Sequence, residues 1–397
     1  MAVTANTIPG QLQLHWIKEQ TTFDSILAYA VTDAVSGRID TYKIDGELNY
    51  EDLNEAVGTA SHQGEVQTVR GGKWAGTFLV KPAAAGTAPD IGPALLKAAF
   101  GVETITGGTS AVYTLSSTVK TPLQGCLNIA NRMQHIFSGG VCEEMTIEIP
   151  ANALPTISFA GSFARFGHCY EHENDEAEAQ TVTEIAVADD NRGMVSPGAV
   201  IQFEDDDNSS SGYTVTAVDW TAGAAHYDIT PGIAGAPGIG ANEWVRPLVP
   251  SQTVGGSAIA AVACALDIDG VSLGFKKATI KMTTGWGLRE PEATANRAAG
   301  IIRTGPRRIE GTIEFYAIVS DTGNMPPMGR EWGELLTRDI QIRVGAATAG
   351  ERMTLDFNKV LCKPAAFTIG AGAVEASMDF VARQNSAAED EFSMTFN

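Results

Sequence analysis

Glu144-Met145-Thr146-Ile147-Glu148-Ile149 alternates polar and apolar side chains at every step. In an extended chain successive side chains point to opposite faces. Met145, Ile147 and Ile149 therefore share one face, and Glu144, Thr146 and Glu148 the other, as in an antiparallel strand with one face on a core and one in water. The same period recurs downstream. Ile309, Ile313 and Phe315 oppose Glu310, Thr312, Glu314 and Tyr316; Ile340, Ile342 and Val344 oppose Asp339, Gln341 and Arg343. Met353, Leu355 and Phe357 oppose Arg352, Thr354, Asp356 and Asn358; Met378 and Phe380 oppose Ser377, Asp379 and Val381. Helix is scarce. Residues 91–100 form the best candidate, with Asp90 as cap, Pro93 in the first turn and Gly101 as the stop; residues 329–336 form a second. The chain reads as mainly β.

Two stretches share an order of features. Gly72-Lys73-Trp74-Ala75-Gly76-Thr77-Phe78 and Pro306-Arg307-Arg308-Ile309-Glu310-Gly311-Thr312-Ile313 each pair a basic lead-in with a Gly-Thr-apolar strand. A Gly/Pro loop and a short helix bearing Leu95-Leu96 or Leu335-Leu336 follow, then strands ending in Ala164-Arg165 or Ala382-Arg383. This is a weak internal repeat and predicts two copies of one β-domain.

Between the copies the texture changes. From His168 to Gln252 there are 15 Asp plus Glu against 2 Arg, a net −13, so the remainder of the 397 residues carries −7 of the total −20. Short alternating runs at 181–188, 199–203, 213–218 and 227–230 are separated by turn-rich clusters. Residues 169–252 are read as an inserted small all-β domain that exits through a stiff linker at 244–250. The expected division is 1–168, with an extended arm or long loop at 42–71, then 169–252 and 253–397.

Composition narrows the classes. The longest apolar run, 258–266, is about half of what a membrane helix needs. Met1 to Pro9 has neither a basic nor an apolar leader segment, so no secretory signal is expected. Five dispersed cysteines without a CxxC are those of a reducing cytoplasm, with buried, inert thiols. The negative total argues against holding nucleic acid by attraction.

Few motifs suggest chemistry. His168-Cys169-Tyr170-Glu171-His172 fits HxxEH, which binds zinc only when both histidines share a helical face; here a strand precedes it and an acidic linker follows. Glu204-Asp205-Asp206-Asp207-Asn208 and Asp267-Ile268-Asp269-Gly270 lack the spacing of a calcium loop. His15, His62, His135 and His226 are isolated. Arg303, Arg307 and Arg308 form a basic knot, read as intersubunit salt bridging. No catalytic, metal or cofactor-binding residue is nominated, and the chain is expected to work through its surfaces, not as an enzyme.

The stretches 71–82 and 87–101, then Leu154-Pro155-Thr156-Ile157-Ser158-Phe159-Ala160-Gly161-Ser162, then 307–315, 340–345 and 380–396, resemble the major tail tube proteins of long-tailed, non-contractile bacteriophages. The resemblance covers roughly 45–165 and 255–397, and it is compositional and positional. It implies two tail-tube-type β-sandwich or barrel domains, each with a short helix, plus the insertion on the outside. It further implies a virion protein, made late and assembled in the host bacterial cytoplasm, whose rings stack into a tube. Its partners would be copies of itself, the tape-measure protein, and the tail terminator and distal tail proteins. DNA would pass through the bore during ejection without specific binding, and no membrane is involved. With two domains per chain, a trimer gives a pseudo-sixfold ring; a hexamer is the fallback. Glu144, Thr146, Glu148 and a proposed counterpart series, Thr354, Asp356 and Asn358, are the lumen candidates. Tyr50, Glu51 and Asp52 on the arm, with the arginine knot, are the intersubunit candidates.

Three other readings compete: a capsid decoration or tail-terminator protein; a zinc-dependent hydrolase using His168, Glu171 and His172; and a carbohydrate binder stacking sugars on Tyr213, Trp220, Tyr227 and Trp244.

Overall fold

The computed structural model describes residues 13–397 except 39–40, 53–64, 151, 176, 180, 205–211, 234–237, 242, 249–257, 260–262, 292–296, 317–336, 347, 349, 370–373 and 386–388. The fold is mainly β. Its first part comprises β1 (Gln13–Glu19), β2 (Ala34–Val35), β3 (Lys43–Asp52), β4 (Glu65–Leu79), helix α1 (Pro93–Phe100), β5 (Gly101–Thr106), β6 (Ser110–Leu115), β7 (Leu123–Ile129), β8 (Met133–Gly140), β9 (Glu144–Ile149) and β10 (Thr156–Tyr170). The insertion comprises β11 (His172–Glu173), β12 (Glu178–Ala179), β13 (Glu184–Ala186), β14 (Val200–Phe203), β15 (Tyr213–Asp219), β16 (His226–Thr230), β17 (Gly238–Ile239) and β18 (Trp244–Pro247). The last part comprises β19 (Cys264–Ile268), β20 (Val271–Thr283), β21 (Trp286–Leu288), β22 (Ile301–Arg303), β23 (Arg308–Tyr316), β24 (Thr337–Gly345), β25 (Arg352–Cys362), β26 (Ala366–Ile369), β27 (Val374–Ala382) and β28 (Ser393–Phe396).

In the last part, β19, β20, β23, β27, β25 and β24 pair in that order and close back on β19, a six-stranded antiparallel barrel. The first part runs the same circuit. β1 pairs β2, Gly37 bridges to Phe78 on β4, β3 also pairs β4, and β4 is followed by β10, β8, β7 and β1 again. The broken strand β2–β3 thus stands where β20 stands, β4 where β23 stands, and β10 where β27 stands. Pairing sets the alignment: Gly76 lies opposite Phe159, and Gly311 opposite Phe380. A Cβ at Gly76 would meet the Tyr42 ring at 2.7 Å, and one at Gly311 the Phe380 ring at 2.7 Å. Glycine at both places lets an aromatic ring cross the strand.

The barrels share one core. β9, paired on one side to β10, pairs on the other to β20 of the second barrel, from Glu144↔Thr283 to Ile149↔Ala278. The C-terminal β28 lies between β25 and β6. Phe392 stacks on Phe357 at 4.6 Å and touches Phe100 of α1 at 5.2 Å. α1 starts later than the pattern predicts. Gly92 at φ 88°, not Asp90, precedes it, and Gly101 at φ 106° ends it. Its Ala94, Leu95, Leu96, Ala98, Ala99 and Phe100 are buried. The second expected helix, 329–336, lies outside the described residues.

The insertion is a six-stranded sheet, β11-β18-β14-β15-β16-β13, with its own hydrophobic cluster. Trp16, Cys126, Ile136 and Cys169 of the first barrel belong to that cluster. Their chain neighbours Ile17, Leu127 and Phe137 point into the barrel instead. The back of the first barrel is therefore buried on both faces, and the insertion is seated on it. Two expectations are corrected. Residues 244–247 are not a linker but β18, an interior strand whose Val245 is buried between β11 and β14. Residues 43–52 and 65–71, expected as an extended arm or long loop, are strand and not loop. They form the antiparallel ribbon β3–β4. A comparable ribbon, β21–β22, extends the β20–β23 connection.

Candidate assembly surface

Along the front of both barrels runs one antiparallel sheet, β3-β4-β10-β9-β20-β23-β27-β26. Directly opposed residues share a face, so the register defines two sides. The inner side carries Ile44, Trp74, Phe159, Met145, Ile147, Ile280, Met282, Ile313 and Met378, all buried. The outer side carries polar rows, one running Thr77, Ser158, Thr146, Lys281, Glu310 and another Glu148, Thr279, Thr312, Asp379.

The charges of this outer side cancel locally. Lys281 pairs with Glu144 at 2.8 Å, Arg308 with Glu310 at 2.8 Å, Lys277 with Glu314 at 2.8 Å and Lys363 with Asp379 at 3.2 Å. Thr77 and Ser158 share a hydroxyl–hydroxyl bond at 2.9 Å. The Thr312 hydroxyl donates to Asp379 at 2.7 Å, which with Lys363 holds that carboxyl below its usual range. The face is a largely compensated, hydroxyl-rich mosaic. Such a surface neither attracts nor strongly repels a polyanion, since paired surface charges set up little field beyond a Debye length.

The two margins of this sheet are unlike its middle. β8 runs along β10, leaves β7 at Gly140 and, after Val141-Cys142-Glu143, continues along β10 as β9, where its other edge takes β20. β25 repeats the manoeuvre. It runs along β27, leaves β24, and after Lys363-Pro364-Ala365 continues along β27 as β26. The other edge of β26 has no strand partner among the described residues, and neither has the outer edge of β3. Phe367 and Ile369 of β26 lie opposite Ala376 and Val374, on the inner side, yet are 47% and 83% exposed.

The residues nominated from sequence divide between surfaces. Glu144, Thr146 and Glu148 lie together in the middle of the polar front. Thr354, Asp356 and Asn358 do not: β25 is the counterpart of β8, and these residues sit on the back of the second barrel. There Thr354 faces Arg343 and Thr395, and Asp356 accepts from Gln341 Nε2 at 2.6 Å. Alternation reports which side chains share a face, not which way the sheet looks. The arginine knot also separates. Arg307, its side chain 8% exposed, is held within the chain by Glu391 at 2.6 Å; this corrects its assignment to an intersubunit bridge. Arg303 covers the Trp286 ring at 4.4 Å on the β21–β22 ribbon, and Arg308 stays exposed on the front. Tyr50, Glu51 and Asp52 pair through their backbone with Gln67, Val66 and Glu65 at the far end of the β3–β4 ribbon.

The HxxEH residues lie on a strand and its exit. His168 Nε2 donates to Gly193 O at 2.6 Å and Nδ1 accepts from Ser196 Oγ at 3.0 Å; His172 Nδ1 donates to Tyr170 O at 2.8 Å. Glu171 pairs with Arg132 at 3.2 Å and Arg246 at 3.4 Å. The three side chains are directed to separate partners. Asp267 and Asp269 are likewise taken, by Arg343 and Arg338, and residues 205–208 lie outside the described residues. Glu184, His226 and Asp228 on the insertion bring ligand atoms within 4.8 Å of one another and could accept a cation. Of the aromatic residues considered for sugar stacking, Tyr213 and Tyr227 are core residues and Trp244 is exposed. No family model matches the chain, and no curated protein matches it in sequence.

Proposed function

We propose that this chain is a structural subunit of a phage tail tube, polymerising as stacked rings around a bore that houses a tape-measure protein and later passes DNA. The observation that carries the reading is the eight-stranded front sheet, apolar and buried behind, polar and charge-compensated in front. An antiparallel sheet whose margins carry no further strand among the described residues is completed by closure. Three copies would supply roughly 24 strands; at a spacing of about 4.8 Å and a tilt of about 40°, the wall would be about 50 Å across between backbones. Two copies would leave about 30 Å before side chains are subtracted, which is tight for a double helix. The back of the first barrel carries the insertion, so the same orientation puts most of the acid outside. The β3–β4 and β21–β22 ribbons extend from the front strands and suit contacts between rings.

Negative-stain microscopy of the purified protein tests the reading. Rings or hollow filaments with three outward knobs are expected. Closed shells or binding to preformed capsids would favour a decoration protein, and rings that cap tubes without extending them a terminator. Removing residues 50–66 should leave rings but abolish filaments, and filaments of normal length would refute the role given to the β3–β4 ribbon.

A further inference from the structure

We propose that Glu184, His226 and Asp228 on the insertion form a binding site for one divalent transition-metal ion of the zinc type. The site is independent of the tube reading, which gives the insertion no ligand.

The sheet register builds it. Glu184 on β13 lies directly opposite Asp228 on β16, and Ala186 lies opposite His226. Ile185 and Tyr227, the residues between, are buried in the core of the insertion. Alternation therefore turns Glu184, His226 and Asp228 together to the outer face. One ligand atom from each lies within 4.8 Å of the others, and His226 Nδ1 stands 4.0 Å from Glu184 Oε1. Two donors that bind one ion at about 2.1 Å are about 3.0 to 4.2 Å apart, depending on the angle at the metal. Small side-chain rotations on fixed strands complete the set. His226 Nδ1 also lies 3.1 Å from Ala224 O. Without metal its proton is donated there, and coordination through Nδ1 would move that proton to Nε2.

Charge supplies a second, independent argument. Glu184 and Asp228 are like charges directly across a strand pair, an arrangement that costs stability. Asp219, opposite His226 on β15, adds a third carboxylate. On the front sheet Glu144 and Glu314 are answered by Lys281 and Lys277. The insertion has no such means. Between His168 and Gln252 there is no Lys, and the two Arg are directed elsewhere, Arg192 to Trp220 O at 3.3 Å and Arg246 to Glu171 at 3.4 Å. A divalent ion supplies two positive charges where the carboxylates converge. The donor set selects the ion. One imidazole nitrogen and two carboxylates suit zinc, cobalt or nickel, whereas calcium takes six to eight oxygens and magnesium keeps most of its water. The bound ion would tie β13, the last strand of the insertion sheet, to β16.

The test uses untagged full-length protein, stripped with a chelator and titrated calorimetrically with zinc chloride. One equivalent of zinc per chain should bind, and calcium or magnesium chloride in about hundredfold excess should not displace it. His226→Gln and Asp228→Asn should each weaken binding at least about tenfold, since even groups that only hold a ligand in place are worth about 10- to 100-fold. Glu184→Gln should weaken binding too, yet leave the metal-free protein as stable or more so, because it removes the repulsion. His168→Gln, in the HxxEH stretch, should bind zinc as the wild type does. Zinc should also slow backbone hydrogen exchange in 184–186 and 226–228. No stoichiometric uptake would overturn the proposal. So would uptake that survives both His226→Gln and Asp228→Asn, or that is lost with His168→Gln instead. Calcium or magnesium binding as tight as zinc would make the cluster a plain carboxylate surface and overturn it as well.

Discussion

The two barrels run the same circuit but differ at front and back. At the back, the first buries Trp16, Cys126 and Ile136 under the insertion, while the second carries the half-buried polar row Asp267, Gln341, Asp356 and Ser393. At the front, the strand that leaves the first barrel is sealed into the core and its counterpart is open. Connectivity is thus independent of what covers it. The circuit tolerates either an apolar or a polar back, and either a filled or an empty edge, because the closing hydrogen bonds are backbone bonds and the shared interior supplies the burial.

The largest effect should come from one charge placed on the inner side of each of the two strands that leave their barrels. Ile147→Asp puts a carboxylate into the sealed seam and should cost more than about 4 kcal/mol, to the point of unfolding. Ile369→Asp on the open edge should change stability by less than about 0.5 kcal/mol. Urea denaturation of both variants measures the difference, and similar losses would mean the two edges are not counterparts. At the back, Trp16→Ala should cost about 3–5 kcal/mol, as truncation of a buried aromatic does. Replacing residues 171–248 by a short linker should expose the same apolar patch and bind a hydrophobic dye. A soluble, dye-silent product would show that the first back sheet needs no cover.

A smaller contrast is set by pH. All six histidines lie before residue 253. Burial lowers His15 to about 4 and lowers His172; burial and then His168 lower His135. An imidazole that resists a proton in the fold but accepts it when unfolded makes the unfolded state bind more protons between pH about 6.5 and 4, so stability falls as pH falls through that window. For His15 the loss approaches about 3 kcal/mol at the acid end. Hydrogen exchange at pH 5 against pH 7 should show the first barrel and insertion loosening while the second barrel holds. Equal loosening, or none, would count against it.

Much of the β character was legible because alternation is a local signal: Met145, Ile147 and Ile149 face the core as their spacing requires. The repeat was legible at Gly76-Thr77 and Gly311-Thr312, where glycine makes room for a ring. The inserted strands were legible except β18, where Pro247 and the following Pro250 suggested a linker. Orientation was not legible. Thr354 and Asp356 alternate as regularly as Glu144 and Thr146 yet face the other way, because that is decided by pairing with β24 and β28, distant in sequence. The bare edges could not be seen either, since an edge is defined by the partner it lacks.

The seam through β9 and β20 has a kinetic side. Any assembly extended through this wall would find alternate joints already made when each chain folds, at an effective concentration fixed by the tether and not by the number of molecules in solution. Only the remaining joints would respond to dilution, so a lone chain would carry half of the periodic unit, and growth would need fewer encounters per turn.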